Sequence, residues 1–148
     1  MDRTIKNDPF GNLMDWGPVL DILGELANDG KLTKYQPGLI RILRFKGNWQ
    51  LREETLKRVG EVQEPSDELI LQVIDILDDD NIYYDARILA GNALIQLLKN
   101  LPDNYNHEIS TALQKVINKH RKIPQPRFFK NALEYFYSEL RQTSLFAN

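Results

Sequence analysis

Two histidines, a run of three aspartates and two arginines 35 residues apart are the side chains of this sequence whose types and spacing could do chemistry. His107 and His120 stand thirteen residues apart, too far to share a metal ion as an i, i+4 helical pair does. His107 is expected just before a helix and His120 at its end, where partial positive charge suits the helix dipole, and both read as surface residues. Asp78-Asp79-Asp80-Asn81 offers carboxylates but lacks the alternate-residue ligand spacing, the central glycine and the terminal glutamate of a calcium loop. A solvated turn with a helix-capping acid is the better reading. The chain has no cysteine, which removes disulfides, thiolate metal sites and thiol nucleophiles together. No G-x-S-x-G, H-E-x-x-H, phosphate-loop or dinucleotide-type glycine pattern occurs. The expectation is a protein that is not an enzyme, with no catalytic residue, no metal and no cofactor.

The elements that must position these groups are helical. The segments Val19 to Leu26, Thr55 to Val62 and Ala90 to Leu97 line up at offsets of 36 and then 35 residues, each with apolar residues recurring at three- and four-residue steps. Second helices lie between them. One follows Pro65 with Ser66 as its N-cap and carries Leu69, Ile70, Val73, Ile74 and Leu77. Another carries Ile109, Ala112, Leu113, Val116 and Ile117, and the first has Leu39, Ile40 and Leu43 after Pro37. Breakers fall at Asn28-Asp29-Gly30, Gln63-Glu64-Pro65 and Leu101-Pro102-Asp103-Asn104. The spacing predicts an all-α chain of about seven helices, with Gly24 and Gly60 placed for close helix packing. At 148 residues with 42% hydrophobic and 27% charged side chains, the chain suits one domain with a real core. Net charge is −2, there is no apolar run of signal or membrane-span length, and a cytoplasmic location is expected.

Leu51-Arg52-Glu53-Glu54-Thr55-Leu56-Lys57-Arg58-Val59-Gly60-Glu61-Val62 resembles the first helix of a HEAT repeat: an apolar-arginine pair, then small residues, then a small-leucine-glycine step. Ala86-Arg87-Ile88-Leu89-Ala90-Gly91-Asn92-Ala93-Leu94 repeats the pattern. In the first copy Asp15-Trp16 stands where the apolar-arginine pair would be, and Arg127 to Leu133 fits in a shifted register. The resemblance covers roughly residues 15 to 141 and implies an α-α superhelix, or solenoid, of about three helical hairpins plus a closing C-terminal helix. Residues 1–14 are then a lead-in and 142–148 a flexible tail. It also implies that Arg52 and Arg87 are structural, reaching Asp79 or Asp80 in an inter-repeat turn.

The family's second helices line a concave side, and the resemblance implies protein–protein recognition there. Superimposing Ile42-Leu43, Ile76-Leu77 and Val116-Ile117 brings Arg41, Asp75 and Lys115 into one row, Arg44, Asp78 and Asn118 into a second, and Gly38, Gln72 and Ala112 into a third. The expected partner-binding residues are Arg41, Arg44, Gln72, Asp75, Asp78, Lys115 and Asn118. The plus-minus-plus order of the first row reads either as a ladder of surface ion pairs or as a polarised groove. Residues 48–104 hold twelve acidic against five basic side chains, net −7. That block would suit a small immunity or antitoxin protein steering onto a basic toxin, and a phycobilin lyase-type accessory is a further alternative that the family resemblance implies. Residues 105–148 are net +4, through Lys115, Lys119, Arg121, Lys122, Arg127 and Lys130 among others. A helix C-terminus favours such cations anyway, so nucleic acid is the lesser reading. Five of the fourteen aromatic side chains fall between Phe128 and Tyr137, where a helix closing the stack and an aromatic anchor for a partner are both open.

Overall fold

A computed structural model describes residues 7–101 and 105–143. Of the turn expected over Leu101 to Asn104 only Leu101 is described. Residues 1–6 of the lead-in and 144–148 of the tail likewise lie outside the described residues.

The chain is all-helical, and no strand occurs among the described residues. Helix α1 spans Trp16–Asn28, and a 3-10 turn over Leu32–Tyr35 runs into α2, Gln36–Arg44. Then follow α3 (Trp49–Val59), α4 (Asp67–Asp78), α5 (Tyr84–Lys99), α6 (His107–Lys122) and α7 (Arg127–Leu140). Local chemistry sets these limits. Asn48 Oδ1 accepts from the Gln50 and Leu51 amides and starts α3, and Ser66 Oγ accepts from the Leu69 amide at 3.1 Å and starts α4. Pro37 sits in the first turn of α2, where its missing N–H costs nothing. Gly30 takes φ +67°, a left-handed conformation that a side chain resists, and ends the α1 turn.

The helices pack in two rows. Along one, α1 lies against α3, α3 against α5 and α5 against α7; along the other, α2 lies against α4 and α4 against α6. The pairs α2–α3 and α4–α5 join the rows. Leu23, Leu39, Ile42, Leu51, Leu69, Ile70, Leu94, Ile109 and Phe129 are fully buried between them, each such side chain stabilising by about 1.5–3 kcal/mol. Helix α5 contacts α3, α4 and α7. It can do so because Ala86, Ala90, Gly91 and Ala93 give it thin, buried faces. Among the described residues no helix is long and apolar enough to cross a membrane.

Three features depart from the expectations. Phe10 and Leu13 are buried in the core, so the packed unit extends into the segment expected to be a lead-in. Phe10 covers Gly38, where an added Cβ would lie 2.7 Å from its ring, so the first position of the third row is buried and cannot line an open concave side. Gly24 faces open space, with nothing within 4 Å of an added Cβ, whereas Gly60 packs against Gln96. The second glycine answers to close packing and the first does not.

Candidate functional site

The helices α2, α4 and α6 carry all seven residues expected to bind a partner. Arg41, Arg44, Asp75, Lys115 and Asn118 are exposed, and Gln72 and Asp78 are half-buried. The Arg41–Asp75–Lys115 row does not form an ion-pair ladder. Arg41 turns to the N-terminal segment, donating from Nε to Asp8 Oδ2 at 2.5 Å, from Nη2 to Asp8 Oδ1 at 2.9 Å and to the Gly11 carbonyl at 2.8 Å. The reason is proximity: the segment that lays Phe10 over Gly38 also brings Asp8 to Arg41.

Arg44, Gln72, Asp75, Arg52 and Asp79 meet instead. They line one cleft of about 510 Å³ together with Lys46, between the end of α2, the start of α3 and the end of α4. Arg44 Nε donates to Gln72 Oε1 at 2.7 Å, and its Nη2 lies 3.3 Å from Glu68. Asp75 has no side-chain hydrogen bond among the described residues. Partial burial, with the neighbouring Asp78 carboxylate, raises its pKa above the usual carboxylate value. Arg52 Nε is buried without a hydrogen-bond partner among the described residues.

The two arginines therefore differ although their sequence positions match. Arg87 is buried, donates from Nε to the Leu77 carbonyl at 2.9 Å, and its Nη2 stands 3.5 Å from Asp80. Its guanidinium also lies 4.5 Å from the centre of the Phe129 ring. Arg52 has no such aromatic lid and makes no ion pair among the described residues.

Asp78 and Asn118 stay outside the cleft. Asn118 accepts from Gln114 at 3.1 Å. Asp78 takes Lys119 Nζ and His120 Nε2, each at 3.2 Å, and Lys119 also reaches Asp80 at 3.4 Å. His120 is only 3% exposed, contrary to its expected surface position, and closes a polar network with Asp78, Arg87 and Gln125. Burial, then the nearby Arg87 charge, lowers its pKa below 6.5. Sequence reasoning missed this because a histidine in the last turn of a helix fits the dipole whether or not another helix covers it. Position 120, four residues after Val116 and three after Ile117, continues the apolar stripe of α6 and was the available signal.

The basic C-terminal block separates as well. Lys119 is held by Asp78 and Asp80, while Arg121, Lys122 and Lys130 line a cleft of about 800 Å³ with Arg141 and Tyr137. Among the described residues no group of three or more His, Asp or Glu side chains is arranged to hold a metal ion. Comparison with protein-family models, with curated protein sequences and with solved structures found no match.

Proposed function

We propose that this chain is a HEAT-type helical solenoid that recognises a protein partner across the face of α2, α4 and α6. The observation that supports this reading is the cleft in which three helices bring Arg44, Arg52, Gln72, Asp75 and Asp79 to one place. It presents cations and carboxylates side by side, the arrangement by which an interface fixes register and selects one partner over another. The two-row packing supports the repeat reading, since each hairpin leaves an outer face that only a neighbour or a partner covers. Asp75 is the residue expected to contribute most to selection: it is exposed and its carboxylate is not engaged by another side chain among the described residues.

The test compares the immobilised full chain with its Asp75→Lys variant in capture from native lysate. Proteins retained by the first and lost by the second are identified by mass spectrometry, and the affinity of the purified partner is then measured. The reading requires affinity to fall at least about tenfold, equivalent to about 1.4 kcal/mol, with the melting temperature unchanged. Equal affinity for both chains would remove this cleft from the partner-binding surface.

A further inference from the structure

Among the described residues seven large hydrophobic side chains are exposed, and three of them, Trp49, Tyr83 and Phe128, lie around a single cleft. The remaining lining residues of this cleft, of about 460 Å³, are Tyr84, Glu53 and Asp85. Among the described residues every wall is thus an aromatic ring or a carboxylate, and no cation lines the cleft. The residues come from the starts of α3, α5 and α7. Trp49 and Tyr84 are 35 residues apart, the same offset as Arg52 and Arg87, and both line this cleft. Phe128 stands edge-on to Tyr84, with ring centres 5.4 Å apart, which fixes two of the walls relative to each other.

Such patches on a monomer mark a contact surface, and the composition of this one selects its occupant. Aromatic faces carry negative quadrupole charge and attract a cation lying over them. Glu53 and Asp85 add two full charges of the same sign, and the surrounding block of residues 48–104 is net −7. Helix starts carry partial positive charge that opposes a cation. Here Asp85 lies in the first turn of α5 and Asn48 caps α3 with its side chain, which offsets it at those two helices; α7 has neither a side-chain cap nor an acid in its first turn, so Glu53 and Asp85 must outweigh its end. Behind the cleft the Arg87 guanidinium lies 5.6 Å from the Tyr84 ring centre, and Asp80 at 3.5 Å meets part of its charge. We propose that the cleft formed by Trp49, Tyr83, Tyr84 and Phe128, with Glu53 and Asp85, binds an arginine or lysine side chain presented by a basic segment of a protein partner. It shares no residue with the cleft between α2 and α4, so the two sites stand or fall separately.

Trp49 is itself the reporter. In a Trp16→Phe chain it is the single tryptophan, and its emission is followed while two probes are added at constant ionic strength. These are tetramethylammonium chloride and a blocked glycine-rich pentapeptide carrying two arginines; a pentapeptide with glutamines in their place is the control. The expected result is a saturable change with both cations and at least about tenfold weaker response to the glutamine peptide. Tyr83→Ala and a Glu53→Gln, Asp85→Asn double variant should each weaken peptide binding about tenfold; the melting temperature should stay unchanged in the first, because Tyr83 is exposed, and fall slightly in the second, because Asp85 lies in the first turn of α5. Equal binding of the arginine and glutamine peptides would overturn the proposal in favour of an unselective apolar patch. A concentration-dependent shift without any probe, matched by dimer in sedimentation and abolished by Tyr83→Ala, would overturn it in favour of a second copy of the chain.

Discussion

His120 Nε2 lies 3.2 Å from Asp78 Oδ1 and joins the last turn of α6 to the last residue of α4. The neutral imidazole is fully satisfied there: Nε2–H donates to Asp78, and Nδ1 accepts from Gln125 Nε2 at 3.3 Å. A second proton would face burial, the Arg87 guanidinium at 3.4 Å and the Lys119 ammonium. The folded protein therefore binds this proton more weakly than the unfolded chain, whose histidine titrates near 6.5. Stability is fully present above that value and falls as pH drops below it toward the lowered folded pKa. Urea unfolding at pH 7.5, 6.5 and 5.5 should show this decline, and His120→Gln should flatten it. Identical slopes for the two chains would show that His120 does not couple to folding.

Arg87→Met keeps the apolar stem of the side chain and removes its donors. The Leu77 carbonyl at the end of α4 then loses its partner, and the cation leaves the Phe129 face. A cost of about 3 kcal/mol is expected from the lost charge-assisted bond and the stranded carbonyl, measured as a lower urea midpoint. Asp80→Asn should cost under about 1 kcal/mol, because Asp80 is mostly exposed. Arg52→Met should also stay under about 1 kcal/mol, since Arg52 makes no comparable bonds.

Gly24→Ala should stabilise the protein by about 1 kcal/mol, the difference in helix propensity, because it lies within α1 and an added Cβ meets nothing within 4 Å. Gly60→Ala should go the other way by about 1 kcal/mol: the Gln96 amide can swing aside, but Gln96 Cβ stays 3.1 Å from the new methyl. Thermal unfolding of both variants would decide, and a loss on Gly24→Ala would contradict the open space there.

Gln36 bridges two hairpins. Its Oε1 accepts from the Ser66 amide at 2.7 Å, and its Nε2 donates to the Glu64 and Thr33 carbonyls at 2.9 and 3.0 Å. Gln36→Ala should lower stability by about 1 kcal/mol. Gln36→Glu should be no better at neutral pH, since it sets a carboxylate oxygen against two carbonyls. Chemical denaturation at pH 7 would show whether the amide is needed at both ends.

The helices and their buried faces were legible in the sequence because their causes are local. Apolar residues at three- and four-residue steps, Ser66 at a helix start and Gly30 after α1 act within a single turn or two, whatever the rest of the chain does. The match of Arg52 to Arg87 was legible for the same reason, as a repeated spacing. What each arginine touches was decided only by tertiary structure: Phe129 lies over Arg87, whereas Arg52 lines an open cleft with Lys46 and Asp79. Likewise Asp8 drew Arg41 away from Asp75 because Phe10 fitted onto a glycine, a match of shapes between segments about thirty residues apart. Trp49 and Phe128, 79 residues apart, share a cleft only because α3, α5 and α7 pack in order with their starts on the same side. Periodicity specifies which face of a helix is buried; which side chains meet across helices depends on how those faces cross and how far each helix slides along its neighbour.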